Sequence, residues 1–488
     1  MRIDRYLVPH DRARTIAAFA AAGAVTTLAG TLPYWLPKRV VALRGAIFTL
    51  VNGPEGTSVL ERPNGTDDFL RVYADPAANG RSYGAGLSDL FWYWLAPGPE
   101  VHQEHLEPGP RYDQAARTTR AILASRTKTQ WTELVTRCTA RVLDSTPIIP
   151  NEPRRLRDLM MPVWAEVYHE VVFLEPCPRS ARELIVGNAD DVVSALKCTR
   201  LRHMRRRNRL TRYLRRRIDA GEVPFELPAQ MTPAEQAYYL QGAFFNTAVV
   251  QMSEAMAHLL LAVAQHPAVQ ERLRAHPDDA DYLGDVIDEA MRVWPLFGVA
   301  HRITTADIDV IPPITAGSVL LFDYLGFHGG EGTEFDPGRW ERESPKPVNF
   351  IPFGVSANRP CPARGIAPVG LQACAREVLR RFTLSSSAGH TRSLANRAPV
   401  FLTPVGLPGP SAARLALMKL GDRWEDVWRS LVQLLLGTFM VWDARRLALC
   451  RTYFAAHPEH LPAFAPPARG RGDGQCPGDS HRPATAGH

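Results

Sequence analysis

Lysine is nearly missing from this chain. Only five of its 57 basic residues are lysine, so 57 − 5 = 52 are arginine. Together with 41 prolines, this bias reads as GC-rich coding rather than as a design for nucleic acid. A net charge of +7 over 488 residues is too thin a surplus to specify a polyanionic partner. Cysteine is scarce as well: seven residues, at 138, 177, 198, 361, 374, 450 and 476, an odd number without a CxxC pair. That excludes a dense disulfide framework and points to a reducing compartment, taken here as the cytoplasm. Internal repeats are absent. Hydrophobic residues at 45% and charged residues at 22% exclude a fully disordered chain, a collagen and a bare coiled coil. The length is ample for a large core.

One long uncharged run is present. Thr15 to Leu36 carries no charge and is flanked by Arg12 and Arg14 before it and Lys38 and Arg39 after it. It is as long as a membrane span of roughly 20 residues, but it is rich in Ala, Gly and Thr. A buried or membrane-touching helix is the expectation. Helical patterning covers Gln114 to Asp144, a short stretch from Pro162 to Val172, and Ala181 to Ala220. A helix of roughly 40 residues is expected from Pro233 to Arg274, interrupted at His266-Pro267. Further helices are expected over Asp285 to Val293 and Ile366 to Phe382, with strand-like runs at Ile308 to Ile311 and Ser318 to Phe322. The class is mainly α with small β-sheets. Expected units are 1–39 as an N-terminal segment, 40–405 as a catalytic domain, 406–464 as an amphipathic helical extension and 465–488 as a disordered tail.

The strongest chemical signal is Phe353-Gly354-Val355-Ser356-Ala357-Asn358-Arg359-Pro360-Cys361-Pro362. A single cysteine ends an irregular loop just before a helix, with an arginine two residues earlier. A helix N-terminus and an arginine both favour thiolate, a good soft ligand for iron. A buried structural thiol is the plain alternative. Upstream, Glu289 and Arg292 form an i,i+3 pair, and Phe335-Asp336-Pro337-Gly338-Arg339-Trp340 lies between the two.

In that order, ExxR, PxRW and FG…RxC resemble the signature of the cytochrome P-450 family, over about Val40 to Pro404. The resemblance implies the family's fold, with heme b between a long distal helix and the proximal cysteine loop. It implies Cys361 as the iron ligand, and Glu289, Arg292 and Arg339 as a structural ion-pair triad. Arg359, Arg302 and Arg120 match arginines that hold the heme propionates, although the histidine expected before Arg120 is Ala116; the nearby Trp131 is a candidate helper or a core residue. Phe353 stands at the start of the cysteine loop, one residue further from the cysteine than is usual, and Ala363 replaces an expected glycine.

The distal helix departs more. Sixteen residues before Pro267 the usual acid–threonine pair is Val250-Gln251, and Asn246 and Thr247 lie one turn earlier. Thr247, Gln251, Glu254 and His258 share one helical face as a polar stripe. Such a stripe is a structural network, a substitute proton path with Thr247, Gln251 and Asn246 as its candidates, or a set of polar contacts to an unusual substrate. The nine arginines between Arg202 and Arg217 are expected to be a solvated face, with contact to an anionic membrane as the sharper alternative and no nucleic acid.

The resemblance thus implies a monooxygenase acting on a lipophilic small molecule, in secondary metabolism. Its electrons would come from ferredoxin and ferredoxin reductase-type partners, and peripheral membrane contact is a further expectation. Two other readings stay open. One is an electron-free isomerase, dehydratase or N–O/peroxide-processing enzyme, because the acid–threonine pair is missing. The other is a heme sensor.

Overall fold

The structure, a computed structural model, describes residues 9–53, 57–59, 65–150, 152–330, 332–343 and 346–462. The tail expected from 465 onward lies outside the described residues. Helix dominates. In chain order come α1 (Pro9–Asn52), α2 (Thr66–Ala74), α3 (Gly86–Leu95), α4 (Pro110–Leu123), α5 (Lys128–Ser145), α6 (Leu156–Phe173), α7 (Arg179–Leu196) and α8 (Met204–Asp219). They are followed by α9 (Pro233–Leu240), α10 (Val249–Gln265), α11 (Pro267–Ala275), α12 (Ala280–Val293) and the one-turn α13 (Tyr324–Phe327) and α14 (Arg339–Arg342). The last are α15 (Ala367–Arg381), α16 (Ala412–Leu447) and α17 (Leu449–Ala456).

Strands are short. β1 (Thr57–Ser58), β4 (Val319–Asp323) and β3 (Val299–Ile303) form one sheet, in which β1 is parallel and β3 antiparallel to β4. β2 (Pro153–Arg155), β6 (Pro399–Pro404) and β5 (Phe382–Ser385) form an antiparallel second sheet. The run Ile308 to Ile311 makes only an isolated bridge, Ile308 to Ile314, and the strand of this region is β3 instead.

The distal helix follows its sequence closely. Thr232 and Glu235 form a capping box with Pro233 in the first turn, the preferred start of a helix. A π-helical segment, Gln241–Ala248, joins α9 to α10 without a break, so Pro233–Gln265 runs on for 33 residues. It is apolar nearly all round and therefore central, packed against α6 and α15. Two expected helices divide. Gln114 to Asp144 breaks after α4, where Thr127 and Gln130 cap α5 afresh. Ala181 to Ala220 breaks at Cys198, whose left-handed φ of 53° turns the chain. The helix expected from Pro162 begins earlier, at Leu156, and carries Pro162 inside it.

The arginine run divides too. Arg205, Arg209, Arg212 and Arg216 are exposed, as a solvated face requires. Arg207 is fully buried, paired with Asp191 and donating to the Trp94 and Ala96 carbonyls. Arg202 stacks on Tyr93, 3.4 Å from the ring centroid. The C-terminal helices dock on the same region. Gln433 donates to the Lys197 carbonyl at 2.9 Å, and Asp89 Oδ1 accepts from the Cys450 N–H at 3.0 Å.

Inside the core, the stripe residue Glu254 fastens three elements. Its carboxylate meets Arg157 of α6 at 2.8 Å and Lys197, just past α7, at 2.6 Å. Burial alone would raise its pKa, but Lys197 and Arg157 outweigh burial and hold it below the usual range. Removing the charge strands two cations. Glu254→Gln is expected to cost about 3–5 kcal/mol in urea unfolding. A loss below about 1 kcal/mol would show that the pairs do not fasten the fold.

Candidate functional site

A single cavity gathers most of the residues singled out in the sequence. Cys361, Phe353, Arg302, Arg359, Thr247 and Gln251 all line it. Cys361 comes from the loop that leads into α15. The Cys361 N–H donates to the Phe353 carbonyl at 2.9 Å and closes that loop, and Ala367 N–H donates to Ala363 at 2.8 Å to begin the helix. Gly354 and Arg359 take left-handed φ values of 71° and 48°, which turn the loop with its additional residue. A side chain at Gly354 would stand 3.0 Å from the Tyr73 hydroxyl. Ala363 keeps an ordinary φ, so the missing glycine costs nothing here. Buried Asn358 fastens the loop by donating to the carbonyls of Tyr73, Asp75 and Ala78. Burial pushes the Cys361 thiol up to about 11, and the Ala363 backbone N–H works against that shift.

Above the loop lies a group of like charges. Arg81, Arg302 and Arg359 are buried or nearly so, line the cavity, and form no ion pair among the described residues. Arg302 donates to the Tyr73 carbonyl at 2.8 Å, and Arg359 to the Leu106 carbonyl at 2.7 Å. Burial first, and then the charge of Arg81, lower Arg302 to about 10 and Arg359 to about 9. Nε of Arg81, Nε of Arg302, and Nε and Nη2 of Arg359 are buried without a hydrogen-bond partner. Unpaired guanidinium nitrogens of this kind call for carboxylate. This thiol and these arginines fit heme: Cys361 would hold its iron, and Arg81, Arg302 and Arg359 its propionates.

The opposite wall is the distal helix. Thr247 Oγ1 lies 2.8 Å from Nε2 of His102. The Glu104 backbone N–H points at Nδ1 of His102 at 3.3 Å, which assigns the ring proton to Nε2. Burial lowers the His102 pKa and keeps the ring neutral. His102 therefore donates to Thr247, whose own hydroxyl proton is left for the cavity. Gly242 permits this approach, since a Cβ there would meet the His102 ring at 2.9 Å. Gln251, Met252 and Ala255 continue the wall, and Phe244, Leu296 and Phe297 make it apolar.

Several expectations are corrected. Arg339 does not join Glu289: it pairs with Glu343 at 2.9 Å, four residues on along α14 and its C-cap. Glu289 is instead completed by Arg292 at 2.7 Å and by the Asp336 backbone N–H at 3.0 Å. Arg120 lies on the exposed face of α4, whose buried face is Ala115, Ala116, Thr118 and Thr119, and it does not line the cavity. Trp131 packs in the core and donates to the Leu123 carbonyl at 3.1 Å. Asn246 faces away, toward Asn188 of α7. The polar stripe separates into Thr247 and Gln251 on the cavity, Glu254 on its ion pairs, and His258, bonded to His390 at 2.9 Å. Arg81 and His102 were missed, because neither stands in a recognisable motif and only the fold brings them to the cavity.

Two predictions follow from this geometry. With heme bound, the ferrous–CO protein is expected to show the long-wavelength band of thiolate ligation, and Cys361→Ser to lose it. A retained band would rule out Cys361 as the ligand. Arg292→Ala should cost about 3–5 kcal/mol, because it strands buried Glu289. Arg339→Ala should stay within about 0.5 kcal/mol of wild type in the same denaturation measurement. Equal losses would return Arg339 to the Glu289 network.

Comparisons with known proteins agree on one lineage. The family model described as Cytochrome P-450 matches residues 230–407. Cytochrome P-450 3A13 of Mus musculus is 26% identical over 156 residues, 27% of this chain and 31% of that protein. Cytochrome P-450 88A1 of Zea mays is 32% identical over 111 residues, 22% of this chain and 21% of that protein. The chain thus matches about a third or less of the length of such relatives. The crystal structure of cytochrome P-450 OleT in complex with arachidonic acid aligns with a TM-score of 0.56 at 14% identity, covering 70% of this chain and 87% of that one. The family model, which ends at 407 and includes the cysteine loop, matches residues 230–407 to the cytochrome P-450 family, and the chain has the fold of cytochrome P-450 structures.

Proposed function

We propose that this chain is a heme-thiolate monooxygenase that inserts one oxygen atom into a lipophilic small molecule, with electrons from separate ferredoxin-type proteins. One observation carries the reading: Cys361 and a hydroxyl–imidazole pair, Thr247 and His102, line the same apolar cavity. Heme held by Cys361 supplies reductive activation of dioxygen. Arg81, Arg302 and Arg359 hold its carboxylates. Phe244, Met252, Ala255, Leu296 and Phe297 exclude water and favour an apolar substrate. The structural neighbour solved with arachidonic acid, a fatty acid, supports a substrate of that character.

The missing acid at Val250 has a substitute in this arrangement. Val250 packs on the core and is not on the cavity wall. Thr247 holds a proton on Oγ1, and Nε2–H of His102 donates to that oxygen and so turns the hydroxyl proton toward the cavity, where solvent would resupply it once it is given up. The relay does not depend on a carboxylate on the helix. It favours oxygen insertion over the electron-free isomerase or dehydratase reading, because a rearrangement makes no comparable demand for protons.

The test is the fate of electrons during turnover of a fatty-acid probe. Thr247→Val and His102→Phe should each lower product per electron and raise peroxide release, with a rate loss of about 10²–10⁴ at the full extent of one proton donor. His102→Gln, which can still donate to Thr247, should retain much of the coupling. Gln251→Leu should have a smaller effect, since an amide cannot supply a proton. Full coupling in Thr247→Val and His102→Phe would refute the relay. Turnover without any electron consumption would replace the monooxygenase by the electron-free enzyme.

A further inference from the structure

The C-terminal helix α16 carries a feature that catalysis does not use. Leu417, Leu420, Trp424, Trp428, Leu431, Leu435, Phe439 and Trp442 are all exposed, Trp428 by 66% and Leu435 by 71%. At 3.6 residues per turn they fall within roughly a 100° arc, one continuous stripe about 38 Å long. The opposite side of the helix is anchored through Gly437, packed near Cys198, and through Gln433, on Lys197. An exposed apolar stripe of this length on a folded protein marks an interaction surface.

What covers it is indicated by α1, which runs alongside in the same direction. Tyr34 accepts from Arg423 at 2.9 Å, and Arg44 lies against Gly437, so residue number rises along both helices together. Every residue from Arg14 to Leu28 of α1 is exposed, on all faces of the helix. The span Arg14–Val51 is long and apolar enough to cross a membrane. A protein partner covers one side of a helix, whereas acyl chains surround it. Charge agrees with a lipid surface. Between Arg12 and Gly53 the chain has five basic residues and no acidic one. The four acidic residues of α16, Asp422, Glu425, Asp426 and Asp443, all sit in ion pairs with arginine. Tryptophan is also the side chain best suited to the headgroup boundary.

We propose that α16 is a membrane-contact element, whose Trp–Leu–Phe stripe lies in the interface of an anionic bilayer beside the inserted first half of α1. The proposal is independent of the reaction catalysed. It makes the C-terminal extension, and not the N-terminal helix alone, a determinant of membrane binding and of the orientation of the catalytic domain over lipid.

The experiment uses the full chain with vesicles of phosphatidylcholine and phosphatidylglycerol. The double variant Trp428→Glu and Leu435→Glu should weaken co-sedimentation at least about tenfold, since each removed apolar contact forfeits lipid burial and each new charge is disfavoured there. Because both positions are exposed, thermal unfolding without lipid should be unchanged. As a direct readout, acyl-brominated lipid should quench wild-type tryptophan fluorescence more than that of Trp428→Phe. Wild-type affinity in the double variant, or equal quenching in Trp428→Phe, would overturn the proposal. So would a stable wild-type dimer that the double variant dissolves and that vesicles leave intact, because the stripe would then face a second copy.

Discussion

Three buried guanidinium groups without a counter-ion set the terms for the rest of this structure. Arg81, Arg302 and Arg359 face one cavity, and the polypeptide satisfies only part of each fork, with backbone carbonyls and with the Tyr73 and Tyr112 rings. Burial first, and then repulsion from Arg81, make Arg302 and Arg359 hold their protons less tightly than free arginine. The protein does not relieve this by placing an acid among them. Glu107 is occupied by the backbone N–H groups of Arg81, Ser82 and Tyr83, and Glu104, exposed at the cavity, forms no ion pair with the three arginines among the described residues. The charge is therefore left for a ligand with carboxylates, and binding that ligand adds to the stability of the fold.

The same residues explain why the cysteine loop is so firmly held. Tyr73 and Ala78, which accept from Arg302, also accept from Asn358 of the cysteine loop. Arginine, loop and the end of α2 thus share a few carbonyl groups. A shift of the loop would disturb the arginine, and a shift of the arginine would disturb the loop. The position of the thiol and the position of the positive charge are one structural fact, as a ligand that needs both an axial donor and two cations requires.

Local sequence showed what local sequence determines. The 3.6-residue period and the bounding prolines located the long helices, although the capping box at Thr127, which splits Gln114 to Asp144, was not read, and the spacing of Glu289 and Arg292 is intrinsic to one helix turn. Cys361 was legible because its arginine and the following helix are neighbours in sequence. Arg339 was misread because a local partner takes it: Glu343 stands four residues on, and in this structure that short contact is the one formed. Arg81 and His102 could not be read at all, because their roles depend on loops from the first quarter of the chain reaching a helix that begins at Pro233. Gly242 was the one available hint, a glycine in an apolar helix where a close approach was needed.

The distal wall lacks the acid–threonine pair and carries a different polar pair, Thr247 with His102. An acid at Val250 would point into the core, where Val249 and the neighbouring apolar residues already pack. A carboxylate there would lose solvation against apolar neighbours, which raises its pKa. A neutral hydrogen-bond donor on the loop that carries His102 avoids that cost. The imidazole is neutral when buried, so it needs no counter-charge, and its orientation is fixed by one backbone N–H at Nδ1 and one hydroxyl at Nε2. The π-helical segment carries Thr247 in the part of the distal helix that faces this loop, and Gly242, one turn earlier, leaves room for the ring. The Thr247–His102 pair is thus set by backbone geometry on two separate elements, which is why the acid–threonine spacing alone gave no sign of it.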